Sequence, residues 1–445
     1  MKDRRQDLVP AVVAAAPKQA GEVLARWAWT EPAVWTERML TALEKGVKGG
    51  VWFSLMDKVE SPRALQAAWG KVQANQGSGG VDGQTVQQFA EAVDQRLSRL
   101  SDALKTGSYV PLPVRRVYIP KPDGRKRPLG IPAVRDRVVQ TALRNVLEPI
   151  YEREFAEHSY GFRPGRGAKD ALRRVDGLLQ GGYRYVVDAD LKSYFDTIPH
   201  ERLTALVGQR VADGRVLALV AAYLKQGVLE DLREWTPIQG TPQGAVISPL
   251  LANIYLHPLD VLMRDGGYEM TRYADDFVVL ARTEPEARHI LGRIQQWVEE
   301  AGLTLHPEKT RIVDTHAPGG FDFLGYHFER GRHWPRRSSL KKFRATIRSK
   351  TPRQSGKSLS AIIADVNQTV HGWYGYFKHS RRWVFRELDK WIRMRLRSIL
   401  RKRRKRRGRG RGSDHQRWPN AFFDAQRLFS MLTAHARDCQ LAGHH

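Results

Sequence analysis

The chain has 445 residues, 41% of them hydrophobic, and 12 tryptophans, which is room for two to four domains and too apolar for a disordered basic tail protein. Lysine and arginine (74) exceed aspartate and glutamate (47) by 27, and such a field favours polyanions, most simply nucleic acid phosphates. The single cysteine, Cys439, excludes an internal disulfide and multi-cysteine zinc sites, and no apolar run approaches the roughly 20 residues of a spanning helix.

In chain order, Lys2, Arg4 and Arg5 precede the apolar run Leu8–Ala16, a weak signal-peptide pattern that Asp3 and Asp7 interrupt. Secretion is therefore not expected, and a cytoplasmic protein associated with the nucleoid or an RNA particle is. Residues 1–60 carry Trp27, Trp29, Trp35, Trp52 and Phe53 and are read as an N-terminal extension without assigned chemistry. Leu65, Ala68, Trp69 and Val72 mark an amphipathic helix from Ser61, followed by the turn-rich Gly77–Gly83 and a second helical stripe over 86–104. Val114 to Ile119 alternates as a strand and leads into the turn residues 120–124.

Further on, the pattern predicts helices near 136–155, 200–225, 248–262 and 285–301, a strand over 183–187 and a hairpin over 268–281. Strands interleaved with helices in this way suggest an α+β sheet covered on one face. From about 335 strand signals fade; Phe385, Leu388, Ile392, Leu396 and Ile399 form a helical stripe. Nine of the eleven residues from Arg401 to Arg411 are basic, with Gly408, Gly410 and Gly412 expected to break the helix. Ser355-Gly356-Lys357-Ser358 imitates the end of a phosphate-binding loop, but Thr351 stands where a glycine is needed and no strand precedes it.

The chemistry concentrates in the hairpin. Tyr273-Ala274-Asp275-Asp276 places two carboxylates at its tip, and Asp188-Ala189-Asp190 ends the earlier strand. Adjacent carboxylates repel unless cations compensate. Clustered acidic oxygens on strand tips suit Mg²⁺, and a pair of such ions serves phosphoryl transfer. Alternation turns Asp188 and Asp190 to the same face, so spacing leaves the choice between them open. The plain alternative for the doublet is a solvated turn.

Several ordered blocks carry a resemblance. They are Ile119-Pro120-Lys121, Arg127-Pro128-Leu129-Gly130-Ile131-Pro132 with Asp136-Arg137, and Ser159-Tyr160-Gly161-Phe162-Arg163-Pro164. Next come Asp190-Leu191-Lys192-Ser193-Tyr194-Phe195-Asp196, Gly240-Thr241-Pro242-Gln243-Gly244 with Ser248-Pro249-Leu250, and the Tyr-Ala-Asp-Asp hairpin. Gly302-Leu303 through Lys309-Thr310, Phe323-Leu324-Gly325-Tyr326 and Gly372-Trp373-Tyr374-Gly375-Tyr376-Phe377 complete the series. From about residue 61 onward the chain resembles the reverse transcriptase/maturase proteins encoded by bacterial group II introns, with Ser193 where many members carry glycine.

That resemblance implies an α+β right-hand polymerase with an antiparallel sheet in fingers and palm, a helical thumb and a basic C-terminal module. The boundaries it implies are 61–335 for fingers and palm, 336–398 for the thumb or maturase region, and 399–445 for the basic region. It implies RNA-templated DNA synthesis and assistance to splicing, with two Mg²⁺ ions held by Asp190, Asp275, Asp276 and the backbone oxygen of Leu191. Intron RNA, RNA template with DNA primer, target DNA and dNTPs are the implied partners. Lys121, Arg127, Phe195, Gln243 and Lys309 become nucleotide contacts, with Phe195 as the sugar gate and Lys309 as a candidate proton donor. Arg163, Lys378 and Arg401, Lys402, Arg403, Arg404, Lys405, Arg406, Arg407, Arg409 and Arg411 become contacts to RNA or DNA. Trp373 and Phe377 are instead expected in a bundle core. Two other readings remain: a domesticated reverse transcriptase in phage defence or repair, and an RNA-binding maturase with a silent palm, which the intact acids disfavour. No endonuclease segment is recognisable, and the missing cysteines argue against a zinc-propped nuclease.

Overall fold

The computed structural model of the chain describes residues 23–120, 126–230, 233–241, 244–406, 408 and 412–442. Its strands are β1 (Val114–Pro120), β2 (Lys126–Ile131), β3 (Tyr185–Asp190), β4 (Val228–Glu230), β5 (Arg233–Trp235), β6 (Glu269–Tyr273), β7 (Asp276–Ala281), β8 (Arg311–Asp314), β9 (Phe321–Phe323), β10 (Tyr326–Glu329) and β11 (Arg332–Pro335). They form three sheets with orders β2-β1-β4-β5, β6-β7-β3-β8 and β11-β10-β9. The mixed α/β architecture divides into two compact units, each discontinuous in sequence. The first gathers the described residues up to Arg166 with Leu191–Gly267 and Ile294–Leu305; the second gathers Gly167–Asp190, Tyr268–Arg293 and the residues from His306 onward.

In the first unit the helix Val134–Glu152 is enclosed nearly all round, and it takes Asp136, Arg137, Gln140, Asn145 and Glu148 inside with its apolar residues. The helix Pro62–Asn75 covers it and buries the predicted stripe Leu65, Ala68, Trp69 and Val72. The expected extension is part of this unit rather than separate from it, at least over its described residues 23–60. Trp35 donates its indole N–H to the Asn145 carbonyl at 2.9 Å, and the amides of Leu55 and Met56 both donate to Asp213 Oδ2 at 2.8 Å. Asp213 also caps the helix Gly214–Leu224, which is why the helix expected over 200–225 is two helices, the other being His200–Gly208. The 86–104 stripe likewise breaks at Ala92 into Val86–Ala90 and Val93–Thr106.

In the second unit the sheet β6-β7-β3-β8 is antiparallel throughout. Its β7 residues Phe277, Val278, Val279 and Leu280 are fully buried. Strand β3 runs past the expected end at 187, so Asp188 and Asp190 both belong to the ladder. The helices Arg337–Lys350, Leu359–Phe377 and Arg382–Arg403 share one core with Trp418, Phe423, Leu428 and Met431. The boundary expected at 399 is thus not a structural one, because four apolar side chains beyond it complete the core before it. The last of these helices ends at Arg403 rather than at Gly408, with Lys405 left-handed at φ 58°. Among the described residues no helix is long and apolar enough to cross a membrane.

Candidate active site

Strands β6 and β7 pair through Tyr273 and Asp276, which leaves Ala274 and Asp275 as a two-residue loop. Loops this short need left-handed backbone, and Ala274 has φ 60°. A residue with a Cβ pays roughly 1–2 kcal/mol there. Arg272 opposes that strain: it is fully buried, and its Nη1 donates to the Ala274 carbonyl at 2.9 Å. Sequence reasoning missed Arg272. The available signal was a cation beside Met270 and Thr271 on a strand, since arginine is rarely buried without a task.

Asp276 faces Asp190 directly across the β7–β3 ladder. Asp188 lies two residues inward, opposite Val278 on one side and Arg311 on the other, with Arg311 Nε 3.6 Å from its Oδ2. Register therefore separates two acids that alternation left equal: Asp190 meets the doublet, and Asp188 meets a cation. Asp276 keeps one face open to solvent, yet protein crowds its other sides. Loss of water, then repulsion from Asp275 and Asp188, pushes its carboxyl up to about 7, against the Leu324 amide and Arg336. Burial likewise pushes Asp188 up to about 6, with Arg311 opposing and Asp322 and Asp190 adding. Negative charge here exceeds what the local cations balance.

Lys309 supplies part of the balance through an ion pair with Asp190 Oδ2. The turn that carries it is anchored on the same residue, because the His306 amide donates to the Asp190 carbonyl at 2.7 Å. Among the described residues no three His, Cys, Asp or Glu side chains converge into a ready metal cage. The site offers instead an edge of carboxylate oxygens with unbalanced charge. That donor set fits Mg²⁺, which takes one or two carboxylates and completes its shell with water and phosphate oxygens.

The Phe323–Tyr326 block braces this edge. Leu324 and Gly325 link β9 to β10 with φ 45° and 86°, two left-handed residues in succession as a type I′ turn requires. The Leu324 amide donates to the Asp276 carboxylate, and its carbonyl accepts the Tyr376 hydroxyl at 2.8 Å.

Phe195 lies in the first unit, on the short helix Tyr194–Thr197. It is half-buried and lines a cavity of about 250 Å³ with Arg116, Gly130, Trp235, Gly240 and Thr241. Three blocks distant in sequence meet there. The Thr241 amide donates to the Phe195 carbonyl at 2.6 Å and the Gly240 amide to Ile198 at 2.8 Å. A Cβ on Gly240 would stand 2.8 Å from the Asp196 backbone, and one on Gly244 only 2.5 Å from the Gly130 carbonyl. Only residues without side chains let these segments close on each other. Ser193, before Phe195, is left-handed at φ 50° and ψ 38°. Ser193→Gly is expected to relieve roughly 1–2 kcal/mol of strain and to lose about 0.5–1 kcal/mol to chain entropy. The thermal midpoint should rise slightly; a fall would show that the serine side chain has a structural role.

Other expected contacts fall differently. Arg127 is exposed on β2, paired with Ile119, and is not among the cavity-lining residues, whereas Arg116, which sequence reasoning missed, is. Lys121 and Gln243 lie outside the described residues, as do Arg407, Arg409 and Arg411. Arg163 is a correction. Its side chain is buried, its Nε and Nη2 grip the Glu152 carboxylate at 2.9 and 2.7 Å, and Nη1 reaches the Ser159 carbonyl at 2.7 Å. A guanidinium engaged in a buried pair holds the fold and has no face for nucleic acid. Lys378 is partly exposed, 3.4 Å from Asp438. Arg401 pairs at 2.6 Å with the fully buried Asp414, and Arg404 stacks over Trp418 at 5.6 Å, while Lys402, Arg403, Lys405 and Arg406 are exposed. Phe377 is buried, and Trp373 packs on it and on Phe343 at 4.7 and 4.6 Å between centroids, in the core expected for them.

Residues 119–328 match the family described as reverse transcriptase (RNA-dependent DNA polymerase), and residues 340–418 match the group II intron, maturase-specific domain. The class is therefore RNA-directed DNA polymerase. Protein YkfC of Escherichia coli (strain K12) is 33% identical over 381 residues, 76% of this chain and 94% of that one. The group II intron-encoded protein LtrA of Lactococcus lactis subsp. cremoris is 37% identical over 255 residues, 57% of this chain but only 41% of LtrA. The chain belongs to the group II intron reverse transcriptase/maturase family. Among solved structures, a partial Cas6-RT-Cas1–Cas2 complex is 22% identical, covering 56% of this chain and 41% of that one at a TM-score of 0.37.

Proposed function

We propose that the chain copies RNA into DNA at the edge formed by Asp190, Asp275 and Asp276, and that it binds and helps splice an intron RNA. The observation that carries the first part is the pairing of Asp190 with Asp276 beside a charge-strained doublet. Asp190 and Asp275, with Asp276 in support and the Leu191 carbonyl adjoining, would hold two Mg²⁺ ions. Bound there, they would supply charge neutralisation as a primer 3′-hydroxyl attacks a nucleotide α-phosphate and the α–β bridge breaks to release pyrophosphate. Arg272 fixes the turn, and the Leu324 amide fixes Asp276. Lys309 starts as the counter-charge of Asp190, which makes it a charge-balancing residue at least as much as a proton donor. In the right-hand vocabulary, β6-β7-β3-β8 is the palm sheet, β1–β2 belongs to the fingers, and the three C-terminal helices form the thumb. Primer extension by the purified chain on an RNA template, with Mg²⁺ and with EDTA, tests this; template-dependent synthesis surviving metal removal would overturn it.

Phe195 is assigned to the sugar gate because its ring is a cavity wall rather than core. Arg116 joins it on the nucleotide side, since its buried Nε has no hydrogen-bond partner among the described residues. Lys121, Arg127 and Gln243 keep their proposed nucleotide contacts on the resemblance alone. Phe195→Ala is expected to lower discrimination against ribonucleotides by about 10²-fold, the range available to a filter on one hydroxyl. Competing dNTP and rNTP incorporation reads this, and unchanged selectivity refutes the gate. Lys402, Lys405 and Arg406 are the proposed phosphate contacts of the basic run. Neutralising all three is expected to flatten the log–log salt dependence of RNA binding by about 0.7–0.9 for each phosphate that is no longer neutralised. An unchanged slope would mean that this segment does not touch phosphate.

A further inference from the structure

The second unit contains a cavity of about 270 Å³ that the polymerase chemistry leaves unused. One wall is aromatic: Tyr326, Phe328 and Tyr376. Its tyrosines are pinned, because the Tyr326 hydroxyl donates to the Tyr376 carbonyl at 2.9 Å and the Tyr376 hydroxyl to Leu324 at 2.8 Å. Tyr326 and Phe328 are 2% exposed and back that wall, so the half-buried Tyr376 is the side chain that offers ring surface to the cavity. The same lining carries cations. Lys169 and Arg173 stand one turn apart on the helix Ala168–Gln180, and His333 and His379 also line the cavity.

The single carboxylate in the lining, Asp176, is already engaged. His333 Nδ1 lies 3.2 Å from it, and His333 Nε2 meets the His379 carbonyl at 2.9 Å. One nitrogen of Arg173 reaches Asp170 at 2.7 Å, away from the lining. Burial, and then the charges of Lys378, Arg173, His333 and Lys169, push the His379 imidazole down from its ordinary value, so the cavity has a positive field. A plain solvated groove explains scattered cations, but not cations gathered with the Tyr376 ring around one cavity. The volume sits near the lower end of the roughly 300 Å³ at which small-molecule pockets begin, enough for a base with its phosphate left at the rim.

We propose that this cavity binds one unpaired nucleotide, its base against the Tyr376 ring and its phosphate between Lys169 and Arg173. Aromatic faces take any base by stacking, and cations take the phosphate. The proposal rests on the reading that the chain handles RNA, and it adds a second point of grip outside the polymerase acids. The test is photocrosslinking of the full chain to a single-stranded RNA octamer carrying 4-thiouridine, with adducts mapped on tryptic peptides. An adduct on the peptide of Tyr376 is expected. Its yield should fall at least about fivefold in the double variant Lys169→Gln/Arg173→Gln, which removes two charge-assisted hydrogen bonds to the phosphate. Circular dichroism checks that the variant folds, and templated primer extension by it should persist. Full competition by adenosine 5′-monophosphate would identify a free nucleotide as sufficient; adducts that resist it would mean the nucleotide must belong to a strand. No adduct on this peptide, or a yield unchanged in the double variant, overturns the proposal. Failure of the polymerase reading is seen separately, as absent primer extension by the parent chain.

Discussion

Asp275→Asn is expected to lower Mg²⁺-dependent primer extension on an RNA template by about a thousandfold while RNA affinity stays within about twofold of the parent. A Lewis-acid contribution is worth several kcal/mol. At about 1.4 kcal/mol per tenfold in rate, losing about 4 kcal/mol gives that figure. The substitution keeps shape and removes charge, so it separates the metal assignment from a structural one. Since Asp275 is the foremost neighbouring charge pushing Asp276 up, the variant relieves a like-charge contact and should melt no lower than the parent. A variant with abolished activity and a lower midpoint would point to a structural role instead. Asp188→Asn is the internal control. Its carboxylate is two residues inward and paired with Arg311, and its replacement should cost less than about tenfold. If Asp188→Asn were as damaging as Asp275→Asn, the choice of Asp190 over Asp188 would be wrong.

Arg272→Met is expected to be the next most severe change, although Arg272 touches neither primer nor nucleotide in the proposed mechanism. It removes a charged hydrogen bond to the Ala274 carbonyl, worth about 1.5–3 kcal/mol. The left-handed Ala274 is then free to relax from a conformation that costs roughly 1–2 kcal/mol. About 3 kcal/mol between the seated and relaxed turn corresponds to roughly a hundredfold in kcat. Nucleotide KM should change far less, because the fault is in placing Asp275 rather than in binding. Arg272→Met/Ala274→Gly should recover part of the activity, since glycine takes the left-handed turn without strain. No recovery would mean that Arg272 acts through its charge and not through the turn.

The hairpin and its acids were legible in the sequence because a two-residue turn between apolar strands is a local pattern. Its register was not: Asp188 and Asp190 are equivalent by alternation, and only the pairing of β3 with β7 and β8 separates them. Arg272 and Leu324 were illegible for a related reason. Alanine and leucine carry no local preference for left-handed backbone, so their conformations are imposed by a buried guanidinium and by the packing of β9 on β10. Arg163 was misjudged because a cation near a glycine-rich turn reads as exposed, whereas Glu152, eleven residues earlier, draws it inside. Strands β8 to β11 span three or four residues each, too short for alternation to register.

The C-terminal core changes what the basic run is. Its described cations from Arg401 to Arg406 stand on the end of, and just after, a helix packed through Leu396 and Ile399, and Asp414 and Trp418 are buried further along the chain. The chain is therefore fastened into the core on both sides of the run. Deleting everything after residue 399 would remove Trp418, Phe423, Leu428 and Met431 from the core, so a truncation would report on unfolding before it reported on RNA. Fastening also concentrates the charges: a phosphate captured by one cation already finds the others within a short reach, at a high effective concentration. Charge-swap variants at Lys402, Lys405 and Arg406 are therefore the sound way to dissect RNA binding in this chain.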